Sequence, residues 1–458
     1  MTRPPGPLTA RRRYATACAL YWLPLGLAVT PLVLLFTERG IPLPAIAGFF
    51  VAHSLTAAAL ELPTGGLSDV VGRRPVLAAA GLLNLAAFTL QGLGTAPWVL
   101  TLGMALMGAA RALSSGPTEA WYVDTVQAHS GPDADLRTGL ARGDAASSAA
   151  LAAGTLLGGA LPWLLARVPD LAAGPGREAS GPVIPLAVPP LAAAVIEIAF
   201  VLYVLTALPE PPRPPRPPGT QRSLLRGIPA TVAEGLRLGG RDVLVRRVLF
   251  GAAAAGSALA TIELLTPGRA AALTGAPESG AMLFAALACA GFVCSAVGSQ
   301  LAPRAARLAG GGERAVLLGL GVAAGGLLLL AVGAGTDLTG PVPSLLAAGG
   351  YGLVYLGLGT AGPNENDLLH RRVPAAGRAT ALSVQSLALQ LTGALSGMAA
   401  GSMTPGPLPW LPALAALVAA AFLWGIRRSG TVPADPDGPA PQRSADQRRL
   451  RVTDGGTP

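Results

Sequence analysis

A short polar gap early in the chain reads Gly65-Gly66-Leu67-Ser68-Asp69-Val70-Val71-Gly72-Arg73-Arg74. It separates two apolar runs, residues 43–62 and 76–95, and each run has the roughly 20 residues that a helix needs to cross a bilayer. Glycine permits a tight reversal because it has no Cβ. The gap therefore predicts a hairpin of two membrane helices joined by a charged loop.

The composition is that of a membrane protein. The chain has 458 residues, of which 51% are hydrophobic and 12% are charged, and its mean hydropathy is +0.52. Soluble domains carry about 25% charged residues, so much of this protein's surface must face lipid. The three cysteines (Cys18, Cys289 and Cys294) all lie in apolar runs without metal-ligand spacing, so we expect neither disulfides nor a metal site.

Known catalytic and nucleotide-binding patterns are missing from the sequence. There is no phosphate-binding loop, no zinc-protease motif and no hydrolase nucleophile motif. These absences leave ATP-driven transport unsupported and make a membrane enzyme the least supported class. We expect a protein that is not an enzyme and that holds no cofactor.

Twelve apolar runs are long enough to span a bilayer. The first is too long for a signal peptide and is predicted to be an uncleaved membrane helix. The sequence thus predicts an all-α membrane protein with twelve transmembrane helices, at residues 14–36, 43–62, 76–95, 97–120, 139–165, 183–208, 247–266, 279–300, 314–334, 342–367, 379–401 and 408–427.

A central polar segment divides these runs into two sets of six. Residues 209–246 open with alternating prolines and arginines, and apolar residues then alternate with arginines, which is typical of a helix on the membrane surface. We predict an N-terminal lobe (1–208), this linker, a C-terminal lobe (247–428) and a disordered cytoplasmic tail (429–458).

The arginines indicate the orientation. With the N-terminus inside, 27 arginines fall in cytoplasmic segments and 4 in outer loops. This bias is the positive-inside pattern and predicts a multi-pass protein of the cell membrane with both termini in the cytoplasm. It also accounts for the net charge of +9, so the charge does not indicate nucleic-acid binding.

The loop at residues 65–74 resembles the loop between helices 2 and 3 of major facilitator superfamily transporters, with Gly65, Asp69, Gly72, Arg73 and Arg74 in register. The resemblance implies two six-helix lobes around a central cavity, a small-molecule substrate, protons as coupling ions and a monomeric protein in the lipid bilayer. It also implies that the loop latches against helix 11 in the outward-open state.

Other motifs resemble those of a bacterial drug-efflux branch. These are Glu61-Leu62-Pro63-Thr64, the segment from Glu119 to Asp124, and Gly154-Thr155-Leu156-Leu157-Gly158-Gly159, in which Thr155 replaces a proline of the antiporter signature. Plain helix packing by Gly154, Gly158 and Gly159 explains the last motif equally well. Glu61 and Glu119 either pair with Arg73, Arg137 or Arg142 in a cytoplasmic gate or lie at helix ends among lipid headgroups.

The two halves also share a short pattern. Gly116-Pro117-Thr118-Glu119 ends helix 4, and Gly362-Pro363-Asn364-Glu365 ends helix 10. This spacing is what two six-helix repeats would give, and it adds Glu365 to the candidate gate residues.

Charged residues inside membrane helices are costly and face a cavity or a partner. Arg111, about 14 residues into helix 4, is either a cation of the cavity or half of a structural ion pair. Asp144 either couples to protons or neutralises Arg142. Other candidates for substrate binding or proton coupling are Glu119, His53, Glu263 and Glu197.

Together these features predict a secondary active transporter that exports small hydrophobic compounds against protons. Two alternatives remain: an importer of a small nutrient, and a non-transporting membrane sensor on the same fold. The small numbers of Tyr and Trp, 6 of each, argue against a sugar site built on stacking.

Overall fold

The computed structural model describes residues 5–65, 67–131, 134–168, 184–210, 242–335, 342–373 and 375–426. For residues 62–65, 69–70 and 375–380 it describes the backbone alone. The predicted surface helix of the linker and the predicted C-terminal tail fall almost wholly outside the described residues.

The described chain is helical from end to end. We number the membrane helices α1 to α12; α1 and α4 each consist of two helical segments, and a short helix, Leu67–Val70, lies between α2 and α3. The bounds are α1 Pro7–Val29 and Leu32–Glu38, α2 Leu43–Gly65, α3 Arg73–Leu93, α4 Pro97–Ser114 and Pro117–Ser130, α5 Arg137–Leu165, α6 Val188–Ala207, α7 Val243–Thr274, α8 Pro277–Ala309, α9 Gly312–Gly335, α10 Val342–Arg372, α11 Ala375–Gly401 and α12 Leu411–Gly425.

These helices confirm the predicted fold class. Within the described ranges, eleven helical spans are long and apolar enough to cross a membrane, and α11, with 27 residues, is the twelfth helix. Successive crossings put the N-terminus and the α2–α3 and α4–α5 connections on one side, which we call the terminus side. We call the opposite side, where α1 ends and α2 begins, the far side.

The helices pack in two lobes. In the N-terminal lobe α1 packs on α5 and α6, while α4 packs on α2 and α3; in the C-terminal lobe α7 packs on α11, and α10 packs on α8 and α9. The lobes meet where α2 lies against α11 and where α5 lies against α8. Two helix pairs therefore carry most of the contact between the lobes.

Glycines permit the closest helix contacts. A Cβ on Gly26 of α1 would lie 2.5 Å from the carbonyl oxygen of Leu151 in α5, and one on Gly158 would lie 2.6 Å from that of Leu27. Gly154 faces the backbone of α1 in the same way. Gly159 points elsewhere, towards α8 of the other lobe.

One shared hydrophobic cluster joins the lobes on the far side. It contains Leu264, Ala281 and Ala400 from α7, α8 and α11, together with buried residues of α1 and α2 such as Phe36 and Ile46. The cluster nearer the terminus side in the N-terminal lobe draws its residues from that lobe alone. The lobes are thus sealed together on the far side of the membrane.

Helix α4 differs from the prediction of one helix over 97–120. It breaks at Ser115 and Gly116, where Gly116 has φ +94°, a value that L side chains rarely adopt, and it resumes as far as Ser130. Pro117 suits the new first turn because that position needs no N–H donor. By contrast, α10 runs unbroken through Pro363, so the repeat of the Gly-Pro pattern is one of sequence and not of conformation.

Asp242 fixes the start of the C-terminal lobe. Its carboxylate accepts hydrogen bonds from the N–H groups of Leu244 (2.8 Å) and Val245 (3.2 Å) and pairs with Arg372 Nε at the end of α10 (2.6 Å). Burial alone would raise the pKa of Asp242, but the hydrogen bonds from Arg372 and from the two N–H groups outweigh it and hold the pKa below its usual 3.8.

Replacing Asp242 should therefore destabilise the protein in a pH-dependent way. We expect Asp242→Ala to lower the free energy of unfolding by about 1–2 kcal/mol at pH 7, as for other helix caps. Because the folded pKa is depressed, this contribution is complete above pH 3.8 and is lost as the pH falls through the folded value. Thermal unfolding of both proteins from pH 7 to pH 3 measures the difference.

Asp242→Asn is the matched control, since asparagine keeps the cap without the charge. At pH 7 it should lower the free energy of unfolding by less than Asp242→Ala does. If the difference in the free energy of unfolding between the wild type and Asp242→Ala stays constant over the whole pH range, the Asp242 carboxylate does not stabilise the fold through its charge.

Candidate functional site

A cavity of about 590 Å³ lies between the lobes, which is within the range of drug-sized binding sites. Helices α1 to α5, α7, α8 and α10 line it. Its wall runs from Glu119 and Asp144, both exposed near the terminus side, to the buried Val33 and Pro267 nearer the far side. The cavity therefore opens towards the terminus side.

Eight aromatic side chains line the described cavity wall, four from each lobe: Tyr14, Tyr21, Trp22, Phe50, Phe284, Phe292, Tyr351 and Tyr355. Tyr351 stacks on Tyr355 with ring centroids 5.0 Å apart, and Phe292 meets Tyr355 edge-on at 6.3 Å. The argument against a stacking site was therefore mistaken in its premise. It counted Tyr and Trp over the whole chain, whereas folding gathers four of the six tyrosines here.

Arg111 is exposed to the cavity. It occupies the last turn of the first half of α4, directly before the break at Ser115. The unsatisfied carbonyls at a helix C-terminus carry partial negative charge and favour a cation there. Glu263 and His53 line the same cavity.

Asp144 and Arg142 do not face each other, contrary to the pairing considered from the sequence. Residues two positions apart on a helix point in nearly opposite directions. Asp144 lines the cavity, while Arg142 is exposed on another face of α5 and does not line it.

Glu197 lies outside the cavity. It is a fully buried residue of α6, and Asn84 Nδ2 of α3 donates to its Oε1 at 3.1 Å. Asn84 itself lines the cavity, so Glu197 stands directly behind the wall.

The α2–α3 loop turns at Gly72. This residue has φ +125° and directly precedes α3, whereas Gly65 is still helical. Arg73 pairs with Asp124 of the second half of α4 at 3.1 Å and donates to the carbonyl oxygen of Ser68 at 3.0 Å. The predicted latch of Asp69 on the start of α11 lies outside the described side chains and stays a prediction.

Glu210, which the sequence analysis missed, holds this loop. Its two carboxylate oxygens accept the backbone N–H groups of Arg73 (2.9 Å) and Arg74 (3.1 Å) at the N-terminus of α3. Trp121 Nε1 donates to the carbonyl oxygen of the preceding Pro209 at 2.8 Å. The sequence did contain a signal for this role: Glu210 is an acid directly after helix 6, in an otherwise basic segment. Such an acid is a candidate to bind a helix N-terminus, because a helix N-terminus favours an anion.

The two remaining gate candidates lie apart. Glu61 of α2 accepts hydrogen bonds from Ser386 Oγ (3.3 Å) and Gln390 Nε2 (3.2 Å) of α11, so it bridges the two lobes. Glu365 is buried inside the C-terminal lobe against Gly251 of α7. Its Oε1 has no hydrogen-bond partner among the described residues.

A comparison with protein families identifies the architecture. The family model of the Major Facilitator Superfamily matches residues 15–397. The chain belongs to the Major Facilitator Superfamily. No curated protein sequence matches it significantly.

Solved structures of other superfamily transporters share the fold. A mutant of the nucleoside transporter NupG superposes with a TM-score of 0.70 at 13% identity, covering 91% of this chain and 99% of that one. A D-xylose-proton symporter gives 0.67 at 14% identity, covering 91% and 97%. The xylose transporter XylE from E. coli, in an inward-open conformation, gives 0.63 at 16% identity, covering 92% and 97%.

The superfamily fold brings five of the predicted site residues to one cavity: His53, Arg111, Glu119, Asp144 and Glu263. It leaves Glu197 and Glu365 inside separate lobes. The aromatic wall went unpredicted because its members lie on four separate helices, α1, α2, α8 and α10, and the sequence does not indicate which face of each helix points inward.

Removing the Glu210 carboxylate should loosen the α2–α3 loop of this superfamily protein. In Glu210→Ala the N–H groups of Arg73 and Arg74 lose their acceptor, and we expect their amide hydrogens to exchange about tenfold faster, equivalent to about 1.4 kcal/mol. Hydrogen exchange with mass spectrometry of a peptide covering 67–76 measures this.

Glu38→Ala is the control, because Glu38 is an exposed glutamate at the other end of the lobe. It should leave exchange in 67–76 unchanged. Equal exchange in Glu210→Ala and the wild type would show that the carboxylate does not hold the loop.

Proposed function

We propose that this superfamily protein is a secondary active transporter that exports small hydrophobic compounds in exchange for protons. The observation that carries the proposal is the central cavity, whose wall contains eight aromatic side chains and whose described carboxylates Glu119, Asp144 and Glu263 are exposed to it. An apolar site suits a hydrophobic solute, and carboxylates are the usual proton carriers in membrane pathways. The glycines of α5, similar to an antiporter signature, favour export.

Alternating access explains how such a cavity transports. In this conformation the lobes are sealed by the shared cluster on the far side, and the cavity opens on the terminus side. If the arginine bias sets the orientation, the terminus side is cytoplasmic. The conformation is then the one that loads a solute from the cell, and rocking of the lobes would release it outside.

Glu263 is the carboxylate best placed to receive an incoming proton. It lies on α7 towards the sealed far side, whereas Glu119 and Asp144 lie nearer the cytoplasmic opening. When the far side opens, a proton from outside would meet Glu263 first. Arg111 lines the same cavity and would stabilise the carboxylate once that proton has left.

Flux in proteoliposomes tests the proposal. We expect an imposed proton gradient to drive a fluorescent hydrophobic compound across the membrane, and Glu263→Gln to reduce this uphill flux about tenfold or more while downhill exchange persists, since only proton binding is removed. Glu38→Gln, outside the cavity, should behave as the wild type. Flux towards the cytoplasm would support the importer instead, and no flux of any compound would support a non-transporting sensor.

Gly159 should control the balance between the state that opens on the terminus side and the state that opens on the far side. A Cβ there would lie 2.5 Å from Ala285 Cβ and 2.6 Å from the carbonyl oxygen of Ala281, both in α8 of the other lobe. We expect Gly159→Ala to disfavour the far-side contact by about 1–3 kcal/mol, which shifts the two populations roughly 5–150-fold.

Spin labels on Thr95 and Thr404, both exposed on the far side in opposite lobes, measure this shift as longer distances in double electron–electron resonance. The native cysteines are replaced first. Gly321→Ala is the matched control, because a Cβ at Gly321 meets nothing within 4 Å. An unchanged distance distribution in Gly159→Ala would argue against a far-side opening that parts α5 from α8.

A further inference from the structure

The charge of the cavity differs in sign from that of the protein. The whole chain carries a net charge of +9. The described cavity wall, however, has three carboxylates, Glu119, Asp144 and Glu263, against one guanidinium, Arg111. A solute that enters the cavity therefore meets an excess of negative charge.

Arg111 does not cancel this excess. It lies at the C-terminal end of a helix segment, where the helix dipole already stabilises its charge, and it is one cation against three carboxylates. Glu119 and Asp144 remain, both exposed near the opening. The described ion pairs contain neither of them. The described wall of the cavity is thus negative on balance, which favours a cation inside it.

Aromatic rings from both lobes are accessible within the same space. Trp22 and Phe50 of the N-terminal lobe and Phe292 and Tyr355 of the C-terminal lobe are half-buried in the cavity wall. The face of an aromatic ring attracts a cation, and the attraction is stronger where water is excluded. The ring faces and the carboxylates of the cavity therefore both attract positive charge.

We propose that the cavity selects aromatic organic cations, whose positive charge is spread over a bulky apolar body. Such a solute loses little hydration on leaving water, fills the apolar volume, and compensates the carboxylates. An anion of equal shape would face the same carboxylates uncompensated. The inference deepens the proposed transport function by naming the solute class, and binding alone tests it.

Tetraphenylphosphonium and tetraphenylborate are a suitable pair of probes, because both place four phenyl rings around a central atom and they differ in the sign of the charge. Equilibrium binding of each to the purified full-length protein is measured after subtracting the uptake by protein-free micelles. We expect saturable binding of the phosphonium, and at least about tenfold weaker binding of the borate.

Variants locate the charge that matters. We expect Glu263→Gln and Asp144→Asn each to weaken phosphonium binding by about tenfold, and Arg111→Gln to leave it equal or tighter. Asp367→Asn, which also removes one acid but lies at the exposed end of α10 outside the cavity, should bind as the wild type. Thermal unfolding confirms that each variant is folded, and the two acids on different helices provide independent tests.

The outcomes separate this inference from the transport proposal. Saturable phosphonium binding without proton-driven flux of any compound would support the inference and count against the transport function. Proton-driven flux of neutral compounds without phosphonium binding would overturn the inference alone. Equal or tighter binding of the borate, or loss of phosphonium binding in Arg111→Gln, would also overturn it.

Discussion

The structure depends on the lack of water in the hydrocarbon layer. Backbone N–H and C=O groups there must be satisfied within the chain, so the chain crosses as helices. Irregular backbone is tolerated only where it is buried in protein or lines a cavity. The break of α4 at Ser115 and Gly116 obeys this rule, since both residues line the central cavity.

The same constraint governs where charge can lie. Arg111, Glu119, Asp144 and Glu263 are exposed to the cavity between the lobes and so avoid lipid. Glu197 is buried but accepts a hydrogen bond from Asn84. The break in α4 also turns the ends of two helix segments towards the cavity, so the carbonyls near Arg111 stabilise a cation in a membrane span. Fold and site therefore have one physical origin.

Contacts between the lobes are of a different kind from contacts within them. Inside a lobe, Gly26 and Gly154 let α1 and α5 approach backbone to backbone. Between the lobes, a shared apolar cluster closes the far side, and Glu61 reaches Ser386 and Gln390 across α2 and α11. These separable contacts are the ones that a rocking transporter would exchange.

Much of the fold could be predicted from the chain, because length and hydropathy alone fix a membrane span. The twelve helices follow from those two quantities, whereas the turn before α3, where Gly72 adopts a positive φ, follows from the glycine-containing polar gap between two of them. The break in α4 was missed because Gly-Pro within an apolar run is also compatible with a continuous helix, as α10 shows at Pro363.

The site was only partly predictable for a related reason. A charged residue in an apolar run stands out, so Arg111 and Glu263 were found, but an aromatic residue there does not. The hydropathy of a segment depends only on the residues within that segment. The sequence by itself therefore determined the membrane helices and their number. Only the tertiary structure decided which helix faces meet, which rings line the cavity, and that Glu210 holds the start of α3. Each of these depends on residues that lie far apart in the chain.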